Sequence, residues 1–284
     1  MKHGTKTVSS VMTACSVILV YGAGTSVGSA TEPCEDFGEC KVLVEINATD
    51  GDIGFHWLID GDDLNSVRMD DPNGKKVYEN KAFGPLRDQK LTETFGESAE
   101  PVCKESLTEE EDDVVVTLEE FADRWAAGTY EISGKADGGE KLEGETDLTY
   151  YLPAAPADVL YSAGVISWMP GTDLGECATN AELVQLVADG VLPVHPMDVP
   201  VAVWEVVLEL EDGSNRSFKV QLPAFQTSVT VSSEFLTSVD PNTPAKAEVG
   251  AIGGFLDEGD DDNATFTEVG DICLNEIGDG CEEE

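Results

Sequence analysis

The sequence predicts an all-β protein made of two tandem β-sandwich domains with short helical insertions. Three observations predict it. Apolar residues recur at a two-residue period through Val201–Leu210, where Ala202, Trp204, Val206, Leu208 and Leu210 share one face and Glu205 and Glu209 interrupt the other. Turn signals such as Asp60-Gly61, Asp71-Pro72-Asn73-Gly74 and Asp212-Gly213 separate similar short runs at meander spacing. The 284 residues suit about two domains.

Taken in order, the chain opens on a secretory signal over residues 1–30. Lys2 and Lys6 precede a run of apolar and small residues from Val8 to Val27, and Gly28-Ser29-Ala30 offers a cleavage site. Ser, Thr and Gly interrupt the run, which argues against a retained transmembrane anchor. Cleavage there removes Cys15 and leaves Cys34, Cys40, Cys103, Cys177, Cys273 and Cys281, an even set that reads as disulfides in an oxidising compartment. Spacing does not decide their connectivity. Pairing within domains favours Cys40 with Cys103 and Cys177 with Cys273, leaving Cys34 and Cys281.

An acidic lead, residues 31–39, precedes the first domain, residues 40–152. A strand from Val42 to Ala48 turns at Asp50-Gly51-Asp52 and returns with Ile53, Phe55, Trp57 and Ile59 on one face and His56 on the other. His56 reads as a surface or cross-strand residue, since no base or nucleophile motif surrounds it. Residues 84–113 are irregular and end in Glu109-Glu110-Glu111-Asp112-Asp113, a self-repelling run expected in an exposed loop. Thr117-Leu118-Glu119-Glu120 is a capping box, and Leu118, Phe121, Ala122 and Trp125 form the apolar stripe of a short helix ended by Gly128. Strands near Tyr130–Ile132 and Thr146–Tyr150 close an immunoglobulin-like sandwich. Leu152-Pro153-Ala154-Ala155-Pro156 reads as a short, semi-rigid, extended linker.

The second domain, residues 153–272, resembles a fibronectin type III domain. Ile166-Ser167-Trp168 and Pro170 match the end of that family's second strand, and Trp204 matches the inward aromatic of its third. Val229, Val231 and Phe235-Leu236 resemble its fifth strand, Pro241 to Ala251 its sixth, and Asn263 to Val269 its last. Ala245 stands where the family places a tyrosine, so the corner hydrogen bond of such sandwiches cannot form through it. The resemblance implies a sandwich fold and carries no specific activity. Residues 170–200 form an insertion with a second capping box, Thr179-Asn180-Ala181-Glu182, and a helix to Gly190. That helix is expected to cover an open edge or end of the sandwich. An acidic tail, residues 273–284, completes the chain.

With 57 acidic residues against 16 basic and a formal charge of −41, the chain is expected to bind no nucleic acid, whose phosphates need a basic footprint. Counted from Asp257, Glu268 sits where a calcium loop wants its bidentate glutamate, but Gly259 occupies a ligand position, Asp262 replaces the required glycine, and the flanks read as strands, so Asp257 to Asp262 fails the pattern. No phosphate-binding loop, nucleophile elbow or metalloprotease helix motif occurs. The expected protein is therefore exported (secreted, periplasmic or on the cell surface) and non-catalytic, a binding, adhesion or spacer module. It needs no cofactor, metal or catalytic residue, its partner is a protein or a glycan, and its mature chain does not insert into a membrane. A calcium-dependent carbohydrate-binding module and a secreted hydrolase are the alternatives.

Overall fold

In the computed structural model the described residues are 34–108, 114–254 and 263–274. The signal segment, the acidic run 109–113, the acidic loop 257–262 and most of the acidic tail lie outside them.

The first half contains seven strands: β1 (Glu39–Asn47), β2 (Asp52–Leu64), β3 (Ser66–Asp70), β4 (Lys76–Lys81), β5 (Leu91–Glu97), β6 (Gly128–Lys135) and β7 (Lys141–Leu148). Two helices interrupt them, α1 (Pro85–Gln89) and α2 (Leu118–Arg124). The second half also contains seven: β8 (Ala157–Ser162), β9 (Val165–Met169), β10 (Val201–Leu210), β11 (Ser217–Pro223), β12 (Ser228–Thr230), β13 (Pro244–Gly253) and β14 (Asn263–Cys273). Its helices are α3 (Asn180–Ala188) and α4 (Ser233–Thr237).

The halves share one topology. In each, the first, second and fifth strands lie side by side, and the other four run in the order fourth, third, sixth, seventh. Each half is thus a two-layer sandwich of three and four strands; its fourth strand pairs with the third, whereas in the seven-stranded immunoglobulin constant type it joins the sheet of the first, second and fifth. Each half has its own apolar core. Val44, Ile46, Phe55, Tyr130 and Ile132 are buried in the first, and Ile166, Trp168, Trp204, Val206 and Val249 in the second. Of the period-two face of Val201–Leu210, Trp204, Val206, Leu208 and Leu210 enter the second core, while Ala202, at the strand's start, is exposed.

The halves are also continuous. β1 pairs in parallel with β14 through Glu45–Ala264, Ile46–Thr265 and Asn47–Phe266. That pairing merges β5-β2-β1 and β14-β13-β10-β11 into one seven-stranded sheet. Because partners in a ladder share a face, Ile46 of the first core and Thr265, beside Ala251 of the second, lie on the same side of it. All described residues fall in one compact unit. Buried Asn263 reinforces the seam. Its Oδ1 accepts from Val44 N at 2.8 Å, and its Nδ2 donates to the Thr149 and Tyr151 carbonyls, each at 3.2 Å.

Several expectations need correction. Residues 152–156 are packed into the body of the protein. Leu152, Ala154 and Ala155 are buried, Ala154 N donates to Pro196 O, and Pro156 O accepts from Thr267 Oγ1. Two prolines do stop a strand here, but packed surroundings, and not the linker's stiffness, hold the halves. Asp60-Gly61 does not turn the chain. It lies inside β2, whose pairing with β5 slips between Asp60 and Leu64. β5 itself falls in the segment read as irregular, because as an edge strand it buries Thr94 and exposes Phe95.

The expected disulfides are also wrong. Cys34 bridges Cys40, and Cys103 bridges Cys177; Cys273 is disulfide-bonded as well. The reason is the insertion. α3 buries Leu183 in the first core, although it belongs to the second half by sequence. Gly175 approaches the β1–β2 turn so closely that a Cβ would meet Ala48 O at 2.2 Å, and Glu176 N donates to that same oxygen. Cys177 is thereby delivered to Cys103. Covering a sandwich was the role expected for α3, but the sandwich is the first and not its own.

Candidate functional site

β1 and β2 form a hairpin in which Val44, Ile46, Ile53 and Phe55 face the first core. The alternate positions, Glu45, Asp52, Gly54 and His56, therefore share the opposite face of the seven-stranded sheet, with Glu45 directly across from Gly54. On the same face, Glu248 of β13 pairs directly with Glu268 of β14. Glu100, just beyond β5, joins them. The parallel seam thus gathers ionisable groups from four strands.

His56 is only 4% exposed and Glu45 only 6%. His56 Nε2 lies 3.6 Å from Glu100 Oε1 and 4.0 Å from Glu45 Oε1, ion-pair spacings too long for hydrogen bonds. It has no hydrogen-bond partner. Burial disfavours charge on the imidazole, but Glu100, Glu45 and Glu97 outweigh it and raise the His56 pKa above its ordinary value.

The neighbouring acids are strongly perturbed. Burial, with repulsion from Glu100, Asp50 and Glu268, pushes Asp52 up to about 7. Burial and adjacent Glu268 push Glu248 up to about 8, with Glu45 adding to the repulsion and Lys246 opposing it. Lys246 Nζ donates to Glu268 Oε1 at 2.9 Å. Burial works against the Lys246 charge, yet Glu268, Glu248 and Glu209 raise its pKa. At neutral pH Glu248 therefore carries a proton, because two carboxylates side by side in a buried site cannot both be charged cheaply.

Of the residues singled out from sequence, His56 sits across from Leu43 and Glu97 as a cross-strand residue, but it is buried, not superficial. Its acidic neighbours were missed because Glu100 arrives from a segment with no regular pattern. The one available signal was Glu45, a lone charge inside the apolar run Val42–Ile46. His195 is elsewhere, capping a short turn through Met197 N. Glu268, tested against the calcium-loop pattern, lies within β14. Trp168 and Trp204 are core residues and not binding aromatics. Among the described residues no helix is long and apolar enough to cross a membrane.

No protein family and no curated protein matches this chain. Among solved structures, the FN1–FN3 domains of chicken CNTN1 show 11% identity and a TM-score of 0.25 over 74% of this chain, which spans 60% of theirs. A cytokine receptor complex shows 12% identity and a TM-score of 0.26, with 84% of this chain and 98% of that chain covered. By its own strands, sheets and cores, the protein is an all-β sandwich protein with a few short helices.

Proposed function

We propose that the chain is an exported, non-catalytic binding or spacer protein built from two sandwiches in tandem, an immunoglobulin-like unit at 40–152 and a fibronectin type III-like unit at 153–272. The observation that carries this reading is the joint. The β1–β14 pairing and the Cys103–Cys177 bridge hold the two units at one fixed angle, which suits a part that presents or separates other components. Five disulfide-bonded cysteines among the described residues support an oxidising compartment. The strongly negative charge favours solubility outside the cell and disfavours nucleic acid as a partner. A protein or glycan partner remains, engaged by loops or exposed side chains of a rigid scaffold.

The test is recovery of the protein from its native host. Fractionation followed by N-terminal sequencing should find a mature chain outside the cytoplasm, starting near Thr31 and without reactive thiols. A cytoplasmic chain with an intact Met1 and reduced cysteines would refute the export on which this function depends.

A further inference from the structure

We propose that Glu45, His56 and Glu100 form a three-ligand site for a first-row divalent cation of the zinc type, placed beside the seam between the two sandwiches. The inference is independent of the binding or spacer function.

Four observations converge on it. One oxygen from each carboxylate and one ring nitrogen of His56 all lie within 4.8 Å of one another. Ligands about 2.1 Å from a tetrahedral zinc ion stand roughly 3.4 Å apart, so the two His56–carboxylate separations of 3.6 and 4.0 Å are near what an ion needs, and the carboxylates, within 4.8 Å of each other, would close further around it. His56 Nε2 is buried, has no hydrogen-bond partner and points at both carboxylates. An imidazole nitrogen in such a place normally has a partner. A bound cation would accept its lone pair and neutralise both glutamates together.

Gly54 is the fourth observation. It lies across the hairpin from Glu45 and beside the His56 and Glu100 ligand atoms, and its φ is not in the left-handed region that glycine favours. Space is what the position requires. A Cβ there would sit 2.8 Å from His56 Nε2 and 3.1 Å from Glu100 Oε1, within the volume where the ligands converge. Chain flexibility does not explain that glycine; room for the converging His56 and Glu100 side chains does, and the proposed ion would sit against that space.

The donor set decides the ion class. Calcium and magnesium take oxygen ligands, whereas one imidazole with two carboxylates suits zinc and its neighbours. The described cysteines are all in disulfides and offer no competing thiolate. Three protein ligands leave room for a water or a partner's side chain to complete the shell. Because Glu100 precedes Cys103 by three residues, an ion here would pin the segment that carries the Cys103–Cys177 bridge onto the β1–β2 hairpin.

The test uses the mature chain, stripped with a chelator and dialysed. Zinc chloride titrated by calorimetry at pH 7.5 should bind at one ion per chain and raise the melting temperature, while calcium and magnesium at the same concentrations do neither. Cobalt(II) should give the visible absorption of a low-symmetry nitrogen–oxygen site, and the His56 imidazole resonances should move while those of His195 stay. Glu100→Gln, at a partly exposed side chain, should weaken binding at least ~10-fold, each titration being referred to that variant's own metal-free melting curve. Gly54→Ala should weaken it as much or more, and His195→Gln should not. Zinc affinity unchanged in both Glu100→Gln and Gly54→Ala, equal affinity for calcium, or a His56 that titrates as freely with zinc as without would reduce the cluster to an ion pair and overturn the proposal.

Discussion

Trp168 of β9 and Trp204 of β10 meet edge to face inside the second sandwich, their ring centroids 5.9 Å apart and their planes at 65°. Trp204 Nε1 donates to Ala224 O at 2.9 Å, which fixes its ring. β13, which lies beside β10 in the same sheet, contributes only Ala245, Ala247, Val249 and Ala251, so the two indoles supply much of the core's volume. Trp168→Ala should therefore cost ~3–5 kcal/mol, since little nearby can collapse into the cavity. Urea denaturation measures this, and a loss below ~1 kcal/mol would show that the ring is not part of the packed core.

Asn263 makes the analogous polar joint. Val44 N, Thr149 O and Tyr151 O all depend on its amide. Asn263→Ala should cost ~2 kcal/mol, because truncation strands the buried Val44 N–H. Asn263→Asp keeps the acceptor but loses the donor, and it should recover only part of that loss. Equal stability of all three proteins would contradict the seam's geometry.

Much of this fold was legible in the sequence, and the reasons are local. Period-two patterning located β1, β2, β9 and β10, the resemblance to fibronectin type III domains marked β13, and the Thr117 and Thr179 capping boxes located α2 and α3, as their side-chain to backbone hydrogen bonds confirm. What could not be read was long-range. Three parallel pairs between β1 and β14 join residues more than 200 positions apart and leave no periodic mark. The same limit hid the cluster. Glu45, His56 and Glu100 are unremarkable singly, and only the hairpin register and the return of the chain after β5 bring them together. The disulfide expectation failed for a related reason: it assumed that each cysteine stays within its own half, while α3 crosses over.

The acids at the seam set a pH dependence. Asp52 at about 7 and Glu248 at about 8 have folded pKa values above those of the unfolded chain. Their protonated forms fit the fold, so their contribution is full below about pH 4 and is lost as pH rises through 7 to 8. His56, also raised, acts in the same direction. The metal-free protein should thus melt at a lower temperature at pH 9 than at pH 5.5. Glu248→Gln should flatten that slope and add on the order of 2 kcal/mol at pH 9, since it removes a buried charge beside Glu268. A steeper slope in the variant would reverse the assignment.

The two described disulfides should contribute unequally. Cys103 and Cys177 are 74 residues apart and Cys34 and Cys40 only 6. Chain-entropy estimates give about 4 kcal/mol for the first bridge and about 2 kcal/mol for the second. The Cys103→Ser/Cys177→Ser double variant should lose more stability than Cys34→Ser/Cys40→Ser, and non-reducing peptide mapping should recover both linkages. Recovery of Cys40 linked to Cys103 would refute the crossing of α3 onto the first core.

The account turns on two sandwiches merged through β1 and β14 into one body, and differential scanning calorimetry of the mature chain tests that most directly. The prediction is a single transition with calorimetric and van't Hoff enthalpies in agreement, shifted as a whole by Trp168→Ala. Two separable transitions, with Trp168→Ala lowering one and leaving the other in place, would mean that the halves are independent beads and that the shared sheet does not couple them.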